Sequence, residues 1–168
     1  MNYNIILIRH GQSTYNLENR FTGWKDVLLT EKGTNEAIEC ASIIKDIEID
    51  LCYTSNLKRA QNTLTLILKK LKINPKVIKN IALNERDYGD LIGKNKAETV
   101  KKYGQKQVEK WRRSYDTPPP NGESLKMTCD RVIPYLQNTI LNINNLESFQ
   151  NILISAHGNS IRAIVMHL

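Results

Sequence analysis

Two stretches from opposite ends of the chain are near-copies: Asn4–Ser13 and Asn151–Ser160 are each a short apolar run that breaks into His-Gly-x-Ser. In the first, Ile5-Ile6-Leu7-Ile8 leads through Arg9 to His10-Gly11-Gln12-Ser13. In the second, Ile152-Leu153-Ile154 leads through Ser155-Ala156 to His157-Gly158-Asn159-Ser160. An unbroken apolar run of this length suits a strand buried on both faces, and hence a parallel strand inside an α/β sheet. In such sheets ligands bind beyond the carboxyl ends of the strands. Two strands that both end in His-Gly bring two imidazoles to one mouth. A lone strand-end histidine is commonly structural. A matched pair beside Arg9, in a chain with only three histidines, points to chemistry.

The rest of the pattern alternates strand and helix. Thr30-Glu31 opens a helix in which Ala37, Ile38, Ala41, Ile44 and Ile47 recur at helical spacing. Asp50–Thr54 reads as a second buried strand, and Pro75-Lys76-Val77-Ile78 as a weak third. Ser55 is placed to cap a helix running through Ala60, Leu64, Ile67, Leu68 and Leu71, with Arg59 in its first turn at the sheet edge of His10. From Leu83 to Gly122 apolar periods are sparse, with short helices at Ala97–Tyr103 and Gln105–Arg113 and an irregular Pro118-Pro119-Pro120 loop. So long an irregular stretch in a compact domain usually carries function. Leu125, Cys129, Val132, Leu136 and Ile140 then describe an amphipathic helix kinked near Pro134, and a last helix starts near Ser160. The fold class is α/β: three layers, an open and mainly parallel sheet with helices on both faces, and residues 1–168 in a single domain.

Composition narrows the setting. The formal charge of +7 favours anionic partners. No recognition helix, zinc spacing or aromatic RNA-binding motif accompanies it, so nucleic acid is not expected, and lysines such as Lys69, Lys70, Lys72, Lys76 and Lys79 read as solvated surface. Three cysteines (Cys40, Cys52, Cys129) cannot all pair and fall among apolar residues, as buried reduced thiols do. The apolar run at Ile5–Ile8 is too short for a signal peptide or membrane span, so no membrane partner and a cytoplasmic location are expected.

What surrounds His10 is cationic and polar: Arg9, Ser13, Asn16 and, across the sheet edge, Arg59. A metal site would want further Cys or carboxylate ligands at ordered spacing, and none is near, so no metal is expected. A Ser nucleophile would want a Gly-x-Ser-x-Gly turn, which is absent. Arginine forks and helix N-terminal amides suit a phosphoryl group. A histidine near its ordinary pKa of about 6.5 is largely neutral at pH 7 and can attack phosphorus. His10 is therefore the expected covalent nucleophile and His157 a donor to the transferring group. The segment Gly89–Asn95 lacks the pattern of a nucleotide-binding phosphate loop.

The Arg9-His10-Gly11 opening resembles the histidine phosphatase superfamily. Longer matches narrow the resemblance to its 2,3-bisphosphoglycerate-dependent phosphoglycerate mutases: Asn19-Arg20-Phe21-Thr22-Gly23-Trp24, Tyr53-Thr54-Ser55 with Arg59-Ala60, Leu83-Asn84-Glu85-Arg86 with Tyr88-Gly89, Trp111-Arg112-Arg113 and Ala156–Ser160. The resemblance spans nearly the whole chain. It implies a glycolytic and gluconeogenic isomerase that interconverts 3- and 2-phosphoglycerate through a phosphohistidine and 2,3-bisphosphoglycerate, which also primes the enzyme. In that scheme His10 carries the phosphoryl group, Arg9, Arg59 and His157 surround it, and Glu85 is the general acid and base. Ser13, Asn16, Thr22, Gly23, Arg86, Tyr88, Lys96, Arg112, Arg113, Gly158 and Asn159 would hold the substrate. The resemblance further implies small-molecule phosphoglycerates as partners, a homodimer as an open option, and a chain lacking the family's C-terminal strand and tail. Two rival readings are a histidine-nucleophile phosphatase acting on small phosphate esters and a non-catalytic polyanion-binding module.

Overall fold

Apolar residues on both faces of a strand need cover on both sides, and the chain supplies it with helices. The computed structural model describes residues 3–141 and 150–168. Strands β1 (Tyr3–Arg9), β2 (Leu51–Thr54), β3 (Lys76–Lys79) and β4 (Gln150–Ala156) form one parallel sheet in the order β1-β4-β2-β3. Along β4 the side chains alternate between two cores. Ile152 and Ile154 pack with Val132 and Leu136 of one helical layer and Ala163 and Ile164 of another element in it. Leu153 packs the opposite way, with Ala37, Ala41, Leu64 and Ile67. The first layer is α6 (Leu125–Tyr135) with α7 (Gly158–His167); the second is α2 (Glu31–Ile43) with α3 (Lys58–Leu71). The three-layer α/β architecture expected from the sequence is what forms.

Sheet register places the chemistry. Arg9 pairs with Ala156 across β1 and β4, so the next residues, His10 and His157, leave the sheet side by side. The His10 amide donates to the Ala156 carbonyl at 3.0 Å and holds the two exits together. Thr54 pairs with Ser155, which brings Ser55 alongside the same exit. Beyond β1 lies the short helix α1 (Thr14–Leu17), and α4 (Lys96–Tyr103) and α5 (Gln105–Arg113) carry a small satellite core of Phe21, Leu91 and Val108. The turn after His10 is packed so closely on α2 that a Cβ on Gly11 would overlap the Gly33 carbonyl, which explains glycine at both positions.

Thr30 caps α2 as expected, its hydroxyl accepting from the Gly33 amide at 3.1 Å, but the helix stops at Ile43 and leaves Ile47 exposed. Ile44 and Ile49 reach the core instead, from the turn that follows. Ser55 is not the cap of α3. Leu57 holds that position, with no side-chain cap; Ser55 lies two residues upstream, its hydroxyl accepting from the Leu57 amide at 3.2 Å and meeting His157 Nε2 at 2.7 Å. The helix containing Pro134 does not simply bend; after Tyr135 it loosens into a π-type turn over Leu136–Ile140, with the Leu141 amide bonded to the Leu136 carbonyl. Cys52 and Cys129 are buried free thiols, and Cys40 is only half-buried. Among the described residues no helix is long and apolar enough to cross a membrane.

Candidate active site

At the carboxyl ends of β1 and β4 lies a cavity of about 340 Å³, at the small end of the roughly 300–1,000 Å³ of ligand sites. Its walls carry Arg9, Arg20, Arg59, Lys96, Arg112, Arg113 and Arg162 against one carboxylate, Glu85. Such an imbalance in a partly enclosed space calls for a multiply charged anion.

His10 lines this cavity and is buried, 7% exposed. Its Nδ1 lies 2.7 Å from the Gly11 carbonyl oxygen, which can only accept, so Nδ1 carries the proton and Nε2 the lone pair. Arg59 Nε donates to that Nε2 at 3.3 Å. Burial above all, then the Arg59 charge, pulls the His10 pKa down to about 3, against a smaller upward pull from the Gly11 carbonyl. The imidazole is thus neutral and nucleophilic at pH 7. The same cations that disfavour a protonated His10 would favour an anionic phosphoryl group on it.

Arg59, 1% exposed, is fixed by donating to the Lys25 carbonyl at 3.0 Å and the Gly23 carbonyl at 2.8 Å. Burial lowers its pKa to about 10, partly offset by Glu85 and Asp26, so it stays charged. His157 is fully buried, its ring centroid 5.0 Å from that of His10. Burial, with Arg59 and His10 beside it, holds its pKa well below the ordinary value. Its Nε2 meets Ser55 Oγ at 2.7 Å, while Nδ1 is buried with no partner.

Glu85 sits across the mouth on the loop after β3. One oxygen, Oε1, accepts from the Arg86 amide (2.8 Å), the Asn159 amide (3.1 Å) and Asn159 Nδ2 (3.0 Å), two of them at the N-terminal turn of α7. That leaves Oε2 uncommitted and facing Gly158. The backbone of this loop is clamped by Arg131, which donates to the Ala82 carbonyl at 2.7 Å and the Glu85 carbonyl at 2.9 Å. Glu123 in turn holds Arg131 bidentately, at 2.8 Å for each bond. Neither Arg131 nor Glu123 stands out in sequence as a support for Glu85.

Of the residues expected from sequence, Arg9, His10, Asn16, Thr22, Gly23, Arg59, Glu85, Tyr88, Lys96, Arg112, Arg113, Gly158 and Asn159 all line the cavity. His157 lies just behind His10. Two others stand behind the wall. Ser13 is the cap of α1, and its hydroxyl donates to Asn16 Oδ1 at 2.9 Å. Arg86 is fully buried, donating to Tyr88 Oη at 3.0 Å and the Arg112 carbonyl at 3.1 Å, with its guanidinium 4.7 Å from the Tyr88 ring centroid. The sequence reading missed Arg20, Phe21 and Arg162 as lining residues. Arg20 was legible inside its motif; Arg162 lies one helical turn beyond Gly158, a spacing that returns it to the same face of α7.

Residues 5–168 match the sequence profile of the histidine phosphatase superfamily, branch 1. A 2,3-bisphosphoglycerate-dependent phosphoglycerate mutase of Cytophaga hutchinsonii is 51% identical over 164 residues, covering 98% of this chain and 76% of that protein. One from Parvibaculum lavamentivorans is 51% identical over 167 residues, covering 98% and 79%. Among solved structures, a mycobacterial glucosyl-3-phosphoglycerate phosphatase in complex with VO3 superposes with a TM-score of 0.85 at 24% identity, covering 97% of this chain and 78% of that one, a likeness of fold alone.

Proposed function

The chain belongs to the histidine phosphatase superfamily and, within it, to the 2,3-bisphosphoglycerate-dependent phosphoglycerate mutases; from that premise we propose how its residues divide the interconversion of 3- and 2-phosphoglycerate. The supporting observation is the His10 tautomer. A neutral imidazole whose Nε2 lone pair meets Arg59 Nε at 3.3 Å, in a cavity of seven cationic side chains, becomes a nucleophile toward a phosphate ester once the anion draws that guanidinium to its own oxygens. The cavity's charge and volume suit 2,3-bisphosphoglycerate, which when bound supplies the phosphoryl group that primes the enzyme.

His10 Nε2 attacks phosphorus, a P–N bond forms, and the bond from phosphorus to the leaving oxygen breaks. Glu85 Oε2 gives that oxygen its proton; in the opposite direction the same carboxylate removes the proton of the attacking hydroxyl. With Oε1 pinned by three donors, the proton has one oxygen to use. Arg9, Arg59 and His157 face the transferring group, where fixed charges stabilise the spread of negative charge. Asn16, Thr22, Gly23, Tyr88, Lys96, Arg112, Arg113, Gly158 and Asn159 hold the carboxylate and the second phosphate. Ser13 and Arg86 act on the substrate through Asn16, Tyr88 and Arg112. Grip on the non-reacting end retains the bisphosphate while it reorients, which separates transfer from hydrolysis. We read the enzyme as cytoplasmic, independent of metal, and able to act as a homodimer.

The test is formation of 2-phosphoglycerate from 3-phosphoglycerate with and without catalytic 2,3-bisphosphoglycerate, in the presence of chelator. Turnover that needs the bisphosphate and survives chelation is expected. Release of inorganic phosphate without isomerisation would instead favour a phosphatase on small phosphate esters.

A further inference from the structure

Arg131 on α6 and Glu123 just upstream of that helix direct nearly all their hydrogen bonds to the loop that carries Glu85. Arg131 uses its whole fork. Nε and Nη2 each donate to Glu123 at 2.8 Å, Nη1 donates to the Ala82 carbonyl at 2.7 Å, and Nη2 donates to the Glu85 carbonyl at 2.9 Å. Glu123 turns to the same segment. Its Oε2 accepts from the Asp87 amide at 2.9 Å, and its own amide donates to the Asp87 carbonyl at 2.9 Å. Trp24 closes the other side: its indole Nε1 donates to the Glu85 carbonyl, and its ring centroid lies 5.6 Å from the Arg131 guanidinium. Positions 82, 85 and 87 are thus tied to one guanidinium–carboxylate pair, with the Glu85 backbone in the middle.

The two side chains are only 20% and 15% exposed. An ion pair so far out of water adds little net stability, because lost hydration offsets most of the attraction. What it fixes well is geometry. Neither residue lines the cavity, so neither meets the substrate itself.

We propose that Arg131 and Glu123 are positioning residues for proton transfer: they hold the Glu85 backbone so that Oε2 meets the leaving oxygen, while Asn159 holds the side chain from α7. This rests on the reading of Glu85 as the general acid. An arginine is required because its planar fork spans two carbonyls and a carboxylate at once. A lysine ammonium is a point charge without that reach. Misplacing a catalytic group by about 1 Å costs about 10²-fold. Arg131 also presents its charge to His157, and Arg131→Lys retains that charge while removing the fork.

The experiment times single-turnover phosphorylation of His10 in the full chain by two donors. In both, a P–N bond forms at Nε2 as a P–O bond breaks. With 2,3-bisphosphoglycerate the leaving group is an alcohol oxygen that needs the Glu85 proton; with acetyl phosphate it is acetate, which leaves without one. Arg131→Lys and Glu123→Gln are each expected to raise the ratio of the acetyl phosphate rate to the bisphosphoglycerate rate by about 10- to 100-fold. A protein that is merely loosened slows with both donors, so an unchanged ratio in either variant would overturn the proposal. Glu85→Gln is expected to raise the same ratio, and adding Arg131→Lys to it should raise it no further, since one residue acts through the other. A further rise in the double variant would reveal a route that bypasses Glu85 and would also overturn the proposal. An unchanged ratio in Glu85→Gln alone would overturn the general-acid reading instead.

Discussion

Acidification should loosen this protein through His10, by an amount the site itself sets. In the unfolded chain the His10 imidazole titrates near 6.5, and in the folded protein near 3, because burial and Arg59 oppose its charge. The folded value is the lower one, so as pH falls the unfolded chain takes up the proton first. The stability contribution is therefore complete above about pH 6.5 and is lost progressively between there and about pH 3. At pH 5 the unfolded chain has gained about one and a half pH units of protonation free energy, at about 1.4 kcal/mol per unit. That makes about 2 kcal/mol lost between pH 8 and pH 5, a large fraction of an ordinary domain's roughly 5–15 kcal/mol. Carboxylates and His157 also respond to acid, so the comparison is with His10→Gln, whose amide oxygen can still accept from Arg59 Nε. Urea unfolding of both proteins at pH 8 and pH 5 gives the difference. Wild type should lose about 2 kcal/mol more than His10→Gln over that interval. Equal losses would mean that His10 is not buried neutral, and the account of its nucleophilicity would fall with it.

Glu85→Gln keeps an acceptor for Arg86 and Asn159 but cannot shuttle a proton. Its single-turnover phosphoryl transfer should slow by about 10²–10⁴-fold with KM near wild type, whereas an equal rise in KM would mark Glu85 as structural. Ile152→Ala opens a hole where a side chain is 0% exposed, and a denaturant titration should register a loss of about 2–5 kcal/mol. A loss below about 1 kcal/mol would contradict the packing described for β4.

Arg86 shows how a sequence can name the right residue and mislead about its work. It falls in the motif with Glu85 and Tyr88, which suggests direct contact with substrate, yet it lies behind the wall and steadies Tyr88 and Arg112. Ser13 likewise serves Asn16. Motif spacing tells which side chains share a neighbourhood; it does not tell which of them is in front.

What the sequence determined by itself is what local patterns encode. Apolar runs at Ile5–Ile8 and Ile152–Ile154 require strands covered on both faces, and the His-Gly after each run places His10 and His157 at one end of the sheet. Those are short-range facts, legible from neighbours in the chain. Tertiary structure decided the rest, because it rests on hydrogen bonds between residues far apart in sequence. The register of β1, β4 and β2 set Ser55 against His157. Packing of α6 under the Glu85 loop brought in Arg131 and Glu123, and the turn of α7 returned Arg162 to the cavity. Sequence supplied the nucleophile and its cations. Which oxygen of Glu85 is left uncommitted followed only from Asn159 reaching the other one across the fold.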